Sequence, residues 1–186
     1  MVDGAVLAGG PGRRLGRPKA GVALAGRTLV ERAVDALRER CAEVIVVSRP
    51  GIALPALEAR VVHDRPGPDA PLTAIATALA ELRAPEVLVL ACDLPLAGPA
   101  LDALLQEPPG AAVAAAQDGR LQPLCARYPR EAALVACERL LGANRLPARG
   151  LLGELGARGV EAPGEALLNV NAPADLARAR EILRGS

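Results

Sequence analysis

The chain has 186 residues, 51% of them apolar, a formal net charge of +1 and 1% aromatic residues, with Tyr128 as the sole ring of the Phe/Trp/Tyr class. That length and apolar content suffice to bury one core and predict a single domain over residues 1–186. A net charge near zero excludes bulk electrostatic attraction to nucleic acid or anionic membranes, and one aromatic side chain cannot form a base-stacking platform.

In chain order, Gly4–Leu7 predicts a first strand, followed by the glycine-rich run Leu7-Ala8-Gly9-Gly10-Pro11-Gly12-Arg13-Arg14-Leu15-Gly16-Arg17-Pro18-Lys19. Leu29–Arg40 predicts a helix with Leu29, Ala33, Ala36 and Leu37 on one face. Strands are predicted at Val44–Val47, Arg60–Val62, Val87–Ala91 and Ala111–Ala116, with helices at Leu72–Leu82 and Ala100–Leu105 between them. Arg65–Asp69 and Pro108–Gly110 are loops by composition. Beyond Ala116 the pattern gives a strand near Leu121–Arg127, a helix from Pro129 to Leu141, a Gly-rich region to Gly164, a strand at Leu167–Val170 and a last helix from Pro173 to Leu183. Such alternation predicts an α/β fold, a Rossmann-like three-layer α/β/α arrangement around a mostly parallel sheet.

The apolar runs are strand-length, far short of a membrane span, and Val2-Asp3-Gly4-Ala5-Val6-Leu7 does not resemble a signal peptide, so a cytoplasmic location is expected. Cys41, Cys92, Cys125 and Cys137 lack metal-ligand spacing and read as reduced thiols.

Open parallel sheets bind ligands at the carboxyl ends of their strands, and four polar features fall there. The first is the loop: Gly9, Gly10 and Gly12 let backbone amides approach an anion, and Lys19 is the only Lys beside 21 Arg. It is neither a Walker A loop nor a dinucleotide fingerprint. Glycines at a strand-to-helix turn can serve structure alone, but Arg13, Arg14 and Lys19 together favour a phosphate. The second is Asp93, after Val87-Leu88-Val89-Leu90-Ala91-Cys92, which either caps a loop or holds a divalent metal. Asp64, the third, is a nucleotide contact or a solvated turn residue, and the neighbouring His63, the only His, reads as structural. The fourth is Asn169-Val170-Asn171, in which Asn171 can equally be a helix-entry residue.

Together Leu-Ala-Gly-Gly-x-Gly-x-Arg-x-Gly-x-x-Lys, Cys92-Asp93-Leu94-Pro95, Gln122-Pro123-Leu124 and Asn169-Val170-Asn171-Ala172-Pro173-Ala174-Asp175-Leu176 resemble the molybdenum cofactor guanylyltransferases over nearly the whole chain. The resemblance implies transfer of GMP from GTP to the phosphate of molybdopterin, with release of pyrophosphate, Mg2+ as cofactor and transient contact with proteins that deliver or accept the cofactor. It implies that Leu7, Ala8, Gly9, Gly10 and Gly12 lie along the nucleotide, that Lys19 contacts its phosphates, that Asp64 binds GTP and that Asp93 binds GTP and Mg2+. Asn169 and Asn171 are implied near the molybdopterin or the metal, and Arg13 and Arg149 near the acceptor phosphate.

Two positions depart from the family pattern. Ala70-Pro71-Leu72-Thr73-Ala74 stands where the family has Gly-Pro-Leu-x-Gly, and Val47-Ser48 stands where an Asn is usual. The readings kept open are therefore a CTP donor, a sugar-phosphate or other phospho-metabolite acceptor, and a nucleotide-binding regulatory subunit without turnover. The attacking group of the implied reaction is a phosphate, mostly dianionic at neutral pH, so no side chain has to remove a proton.

Overall fold

A computed structural model describes residues 1–10 and 12–185, and for Arg13 the backbone alone. The strands β1 (Val2–Leu7), β4 (Val44–Ser48), β5 (Arg60–His63), β6 (Glu86–Ala91), β7 (Val113–Gln117), β8 (Arg120–Pro129) and β9 (Arg158–Glu161) form one seven-stranded sheet in the order β5-β4-β1-β6-β8-β7-β9. The pairs β4/β5, β1/β4, β1/β6 and β7/β9 are parallel, and β8 runs antiparallel to both β6 and β7. A short hairpin, β2 (Ala23–Leu24) and β3 (Arg27–Thr28), stands apart.

Alternation along the strands sends side chains into two layers. Ala5, Leu7, Ile45, Val47, Val87 and Val89 join a core under α2 (Pro71–Glu81), α4 (Arg130–Gly142) and α5 (Arg149–Glu154). Val6, Val46, Leu88 and Leu90 join a second core under α1 (Leu29–Arg38) and α3 (Gly98–Gln106). The predicted three-layer α/β/α fold with a mostly parallel sheet is thus the observed one. Central strands buried on both faces read as continuous apolar runs, which is why β1, β4 and β6 were visible in the sequence.

At α1, a capping box sets the first turn: Thr28 Oγ1 accepts from the Glu31 amide at 3.3 Å while Glu31 Oε2 accepts from the Thr28 amide at 2.6 Å. The last helix, α6 (Pro173–Gly185), packs Ala179 against Val22, Leu24, Leu29 and Val170 in a third cluster that ties the hairpin to the C-terminal segment.

The expected strand at Leu167–Val170 is not one. That segment has no sheet neighbour; Leu168 N donates to Glu165 O at 3.0 Å, and Val170 N donates to Asp93 O at 2.8 Å. It is apolar because it straps across two cores, Ala166 and Leu167 lying in one and Val170 in the other. The seventh strand is β9, inside the Gly-rich region, where α5 also forms. No helix among the described residues is long and apolar enough to cross a membrane, and the four cysteines are free thiols, three buried and Cys41 partly so.

Candidate active site at the strand ends

The site begins where β1 ends. Ala8 N donates to Val47 O of β4 at 2.8 Å, and Cys92 N donates to Leu7 O at 3.1 Å, so the exits of β1, β4 and β6 are laced together by backbone. The glycine loop then folds back. Gly12 has φ 60°, and a Cβ there would lie 2.0 Å from the Arg17 carbonyl oxygen, a position that L side chains cannot take without displacing the loop. Lys19 N closes the loop by donating to Gly10 O at 3.3 Å, and the Lys19 stem runs over Gly10, whose Cβ would meet Lys19 Cδ at 3.4 Å.

Lys19 Nζ donates to Asp93 Oδ2 at 2.5 Å and also to Asn171 Oδ1. Both members of the ion pair are largely covered, with side-chain exposures of 17% and 16%. Asn171 is not the helix-entry residue the sequence allowed, because α6 begins at Pro173. Instead Asp175 Oδ2, in the first turn, accepts from the amides of Asn171 and Ala172 at 2.9 and 2.8 Å, which turns the Asn171 side chain toward Lys19. Lys19, Asp93 and Asn171, which come from three distant parts of the sequence, thus converge on one ammonium.

A cavity of about 220 Å3 opens beside this cluster, lined by Leu7, Gly9, Gly10, Lys19, Arg49, Asp64, Ala70, Pro71, Ala74, Ala91, Cys92, Asp93 and Leu124. Six of the sequence-predicted nucleotide residues share it: Leu7, Gly9, Gly10, Lys19, Asp64 and Asp93. Ala8 is fully buried and Gly12 shapes the loop, so neither lines the cavity. The side chain of Arg13 lies outside the described residues. His63 is exposed and takes no part.

Arg49 is the residue that the sequence did not single out; its signal is its place directly after β4. Arg49 Nη1 donates to Asp69 Oδ2 at 2.7 Å, and its Nε lies 4.0 Å from Asp64 Oδ2. Its stem covers Gly9, where a Cβ would lie 3.2 Å from Arg49 Nε. Burial raises the Asp64 carboxyl above its ordinary range, with the Arg49 charge acting the other way. Asp64 Oδ1 and Ser48 Oγ are buried without a hydrogen-bond partner among the described residues. The Cys92 thiol, buried and beside Asp93, is pushed up to about 12 and stays protonated.

Arg149 and Asn169 are not in this cavity. They line a second one of about 370 Å3 with Gln117, Asp118, Arg120, Leu121, Gln122 and Leu167. Two segments join the cavities. Gln122 lines the second and Leu124 the first, two residues apart on β8 and so about 6–7 Å along the strand, while Asn169 lines the second and Asn171 holds Lys19.

A divalent metal could be held here by one protein carboxylate, Asp93; among the described residues no group of three or more acidic, His or Cys side chains forms a metal cage. That donor set fits Mg2+, which keeps several waters and takes most of its remaining ligands from substrate phosphates.

Comparison with known proteins agrees with this architecture. The "MobA-like NTP transferase domain" family description matches residues 4–158. A "Probable molybdenum cofactor guanylyltransferase" of Chloroflexus aggregans is 38% identical over 152 residues, covering 77% of this chain and 73% of the relative. A protein of the same name from Mycobacterium avium is 36% identical over 185 residues, covering 95% and 93%. The crystal structure of molybdopterin-guanine dinucleotide biosynthesis protein A from Archaeoglobus fulgidus superposes with a TM-score of 0.79 at 24% identity, covering 99% of this chain and all of that one, and so shares the fold. Matched by the family description over most of its length, and by relatives over three quarters of it in one case and nearly end to end in the other, this chain belongs to the MobA-like NTP transferases, among the molybdenum cofactor guanylyltransferases.

Proposed function

We propose that the protein transfers GMP from GTP to the phosphate of molybdopterin, releasing pyrophosphate and forming the guanine dinucleotide form of the cofactor. The observation that carries this reading is the Lys19–Asp93–Asn171 cluster, whose Lys19 and Asp93 line the first cavity at the sheet's strand ends. The nucleotide occupies the first cavity, and the acceptor occupies the second, where Arg149, Arg120 and Asn169 face its phosphate. All of this lies within a single nucleotidyltransferase domain.

The chemistry requires little of side chains beyond position and charge. The acceptor phosphate is its own nucleophile. Gly9, Gly10 and Gly12 let the loop backbone approach the phosphates, and Lys19 Nζ swings from Asp93 and Asn171 to the oxygens that gain charge as the α-phosphorus becomes five-coordinate. Asp93 would hold Mg2+, which neutralises charge on the triphosphate and the departing pyrophosphate. Asn171, fixed by Asp175, bounds the reacting phosphorus on the acceptor side. Asp64 accepts from the base.

The test is pyrophosphate release from GTP with molybdopterin supplied and Mg2+ present, run against CTP and against sugar phosphates as acceptors. GTP and molybdopterin should be the productive pair, and Asp93→Asn should abolish release. GTP binding without pyrophosphate release in the presence of authentic acceptor would replace this reading with that of a non-catalytic nucleotide-binding subunit.

A further inference from the structure

We infer that Arg49 is a specificity-determining residue of the nucleotide cavity: its guanidinium donates to the O6 oxygen of guanine beside the carboxylate of Asp64, so that the pair reads O6 and the adjacent N–H groups together. The inference rests on the proposed use of a guanosine triphosphate and concerns how this chain recognises the base.

Placement comes first. Asp64 follows β5, Arg49 follows β4, the glycine loop follows β1 and Asp93 follows β6, and these strands are neighbours in that order. Three strand steps of roughly 4.8 Å put Asp64 about 14 Å from Asp93 along the sheet edge. A nucleotide whose phosphates meet Lys19 and Asp93 therefore extends its base toward Arg49 and Asp64, across the glycine loop. Ala70, Pro71 and Ala74 line that same cavity and offer the base plane an apolar wall.

Hydrogen-bonding capacity comes second. Arg presents five N–H donors in a planar fork. The Asp69 carboxylate engages both terminal nitrogens of Arg49, end-on, so the fork is held in place from outside. The side edge, including Nε–H, is left over Gly9 within the cavity. At 4.0 Å, Nε and Asp64 Oδ2 form an ion pair without a hydrogen bond. Asp64 Oδ1 is buried with no partner among the described residues. The Arg49 donor edge and the Asp64 carboxylate thus stand side by side through Nε and Oδ2 without a hydrogen bond between them, so both have capacity left for a base.

Guanine completes both. Its O6 accepts from the Arg49 edge while N1–H or the N2 amino group donates to Asp64. Adenine and cytosine each present an amino donor where guanine has O6, which would meet the donors of Arg49, and the ring nitrogen beside it is an acceptor facing the Asp64 carboxylate. Two mispaired charged groups disfavour those bases. This pair also accounts for how the pocket can select a base although Ala70 and Ala74 replace the glycines usual in the family.

The experiment is nucleotide binding without acceptor, comparing GTP with 6-thio-GTP, whose sulfur is a poor acceptor while N1–H and the N2 amino group are kept. Wild type should bind 6-thio-GTP about 10-fold or more weakly, the loss expected for one hydrogen bond to a charged group. Arg49→Met should bind the two nucleotides equally, and Arg49→Leu, which likewise has no donor, should serve if the Met variant folds poorly. A variant that weakens both nucleotides by the same factor would make Arg49 a phosphate or structural contact and overturn the inference, as would a wild type indifferent to the sulfur. If wild type discriminates through Arg49 yet releases no pyrophosphate with molybdopterin, the inference stands and the transfer reading fails.

Discussion

Lys19 Nζ pairs with Asp93 Oδ2, so the ammonium and a divalent metal held by Asp93 would compete for one carboxylate. Lys19→Met removes the competitor. At 2.5 Å the gross attraction is about 7 kcal/mol at an effective dielectric near 20. Desolvation of two largely covered groups and the ordering of a long side chain offset most of it, leaving about 1.5–3 kcal/mol for a charge-assisted hydrogen bond. That difference predicts a rise of about 10- to 100-fold in the affinity of the nucleotide-free variant for Mn2+, read by electron paramagnetic resonance of the free ion. Turnover of GTP should fall in the same variant, because the phosphates lose their cation. Lys19→Arg separates the two effects: the charge still occupies Asp93, so metal affinity should stay near wild type. The planar fork cannot replace a compact ammonium seated between Asp93 and Asn171, so turnover should fall about 10-fold or more. Unchanged Mn2+ affinity in Lys19→Met, or normal turnover in Lys19→Arg, would refute the competition and the role of the cluster.

Gly12→Ala combines a left-handed φ with a Cβ placed 2.0 Å from the Arg17 oxygen; a loss of about 1–3 kcal/mol, or roughly 2–12 °C in Tm, is expected, with turnover lost through the displaced loop. A normal melting curve would show that the loop relaxes freely. Asp175→Ala frees the amides of Asn171 and Ala172, and stability should drop by about 1 kcal/mol in denaturant titration while turnover falls further than stability alone explains; Asp175→Asn should restore part of both. For Asp64, burial raises the folded carboxyl above its ordinary value of 3.8, so the folded state holds the proton more tightly than the unfolded chain. The Asp64 contribution to stability is therefore greatest at acid pH and falls as pH rises from that ordinary value through the raised one. Asp64→Asn should flatten this fall and raise Tm at neutral pH while weakening GTP; a Tm profile unchanged by the substitution would show that Asp64 is solvated in the folded state.

The parts of the fold that were legible in the sequence are those whose burial dictates composition. β1, β4 and β6 are covered on both faces and had to be apolar, and α1 announced itself by Leu29, Ala33, Ala36 and Leu37 on one face. Leu167–Val170 misled for the same reason: composition reports burial, and a strap across two cores is as apolar as a central strand. β9 was hidden by the converse. At the sheet edge Arg158-Gly159-Val160-Glu161 pairs through its backbone, and Gly159 is small because a Cβ there would lie 2.7 Å from Leu121 Cδ2.

The candidate site follows the same division. Asp64 and Asp93 could be placed because each follows a strand whose end is readable, and Lys19 because it closes the glycine run, whereas Asn171 acquires its role from contacts that no local pattern encodes and Arg49, though it too follows a strand end, is not distinguished from the other Arg by type. Arg49 is one of 21 Arg, eleven others of which also form ion pairs among the described residues, and the approach of Gly9 and the pairing with Asp69 distinguish it.

What the backbone fixes, moreover, limits the chemistry. Leu7 accepts from Cys92, and Asp93 accepts from Val170, so the Lys19–Asp93–Asn171 geometry is set by main-chain bonds and survives change in most surrounding side chains. Within the cavity, the thiol of Cys92 is protonated and the exposed His63 is out of reach. Among the described residues no lining side chain is a proton acceptor suited to neutral pH apart from carboxylates, and Asp93 is neutralised by Lys19. Such a site acts on a nucleotide chiefly through position and charge, by bringing the glycine loop, the exit of β6 and the C-terminal strap together on a single ammonium.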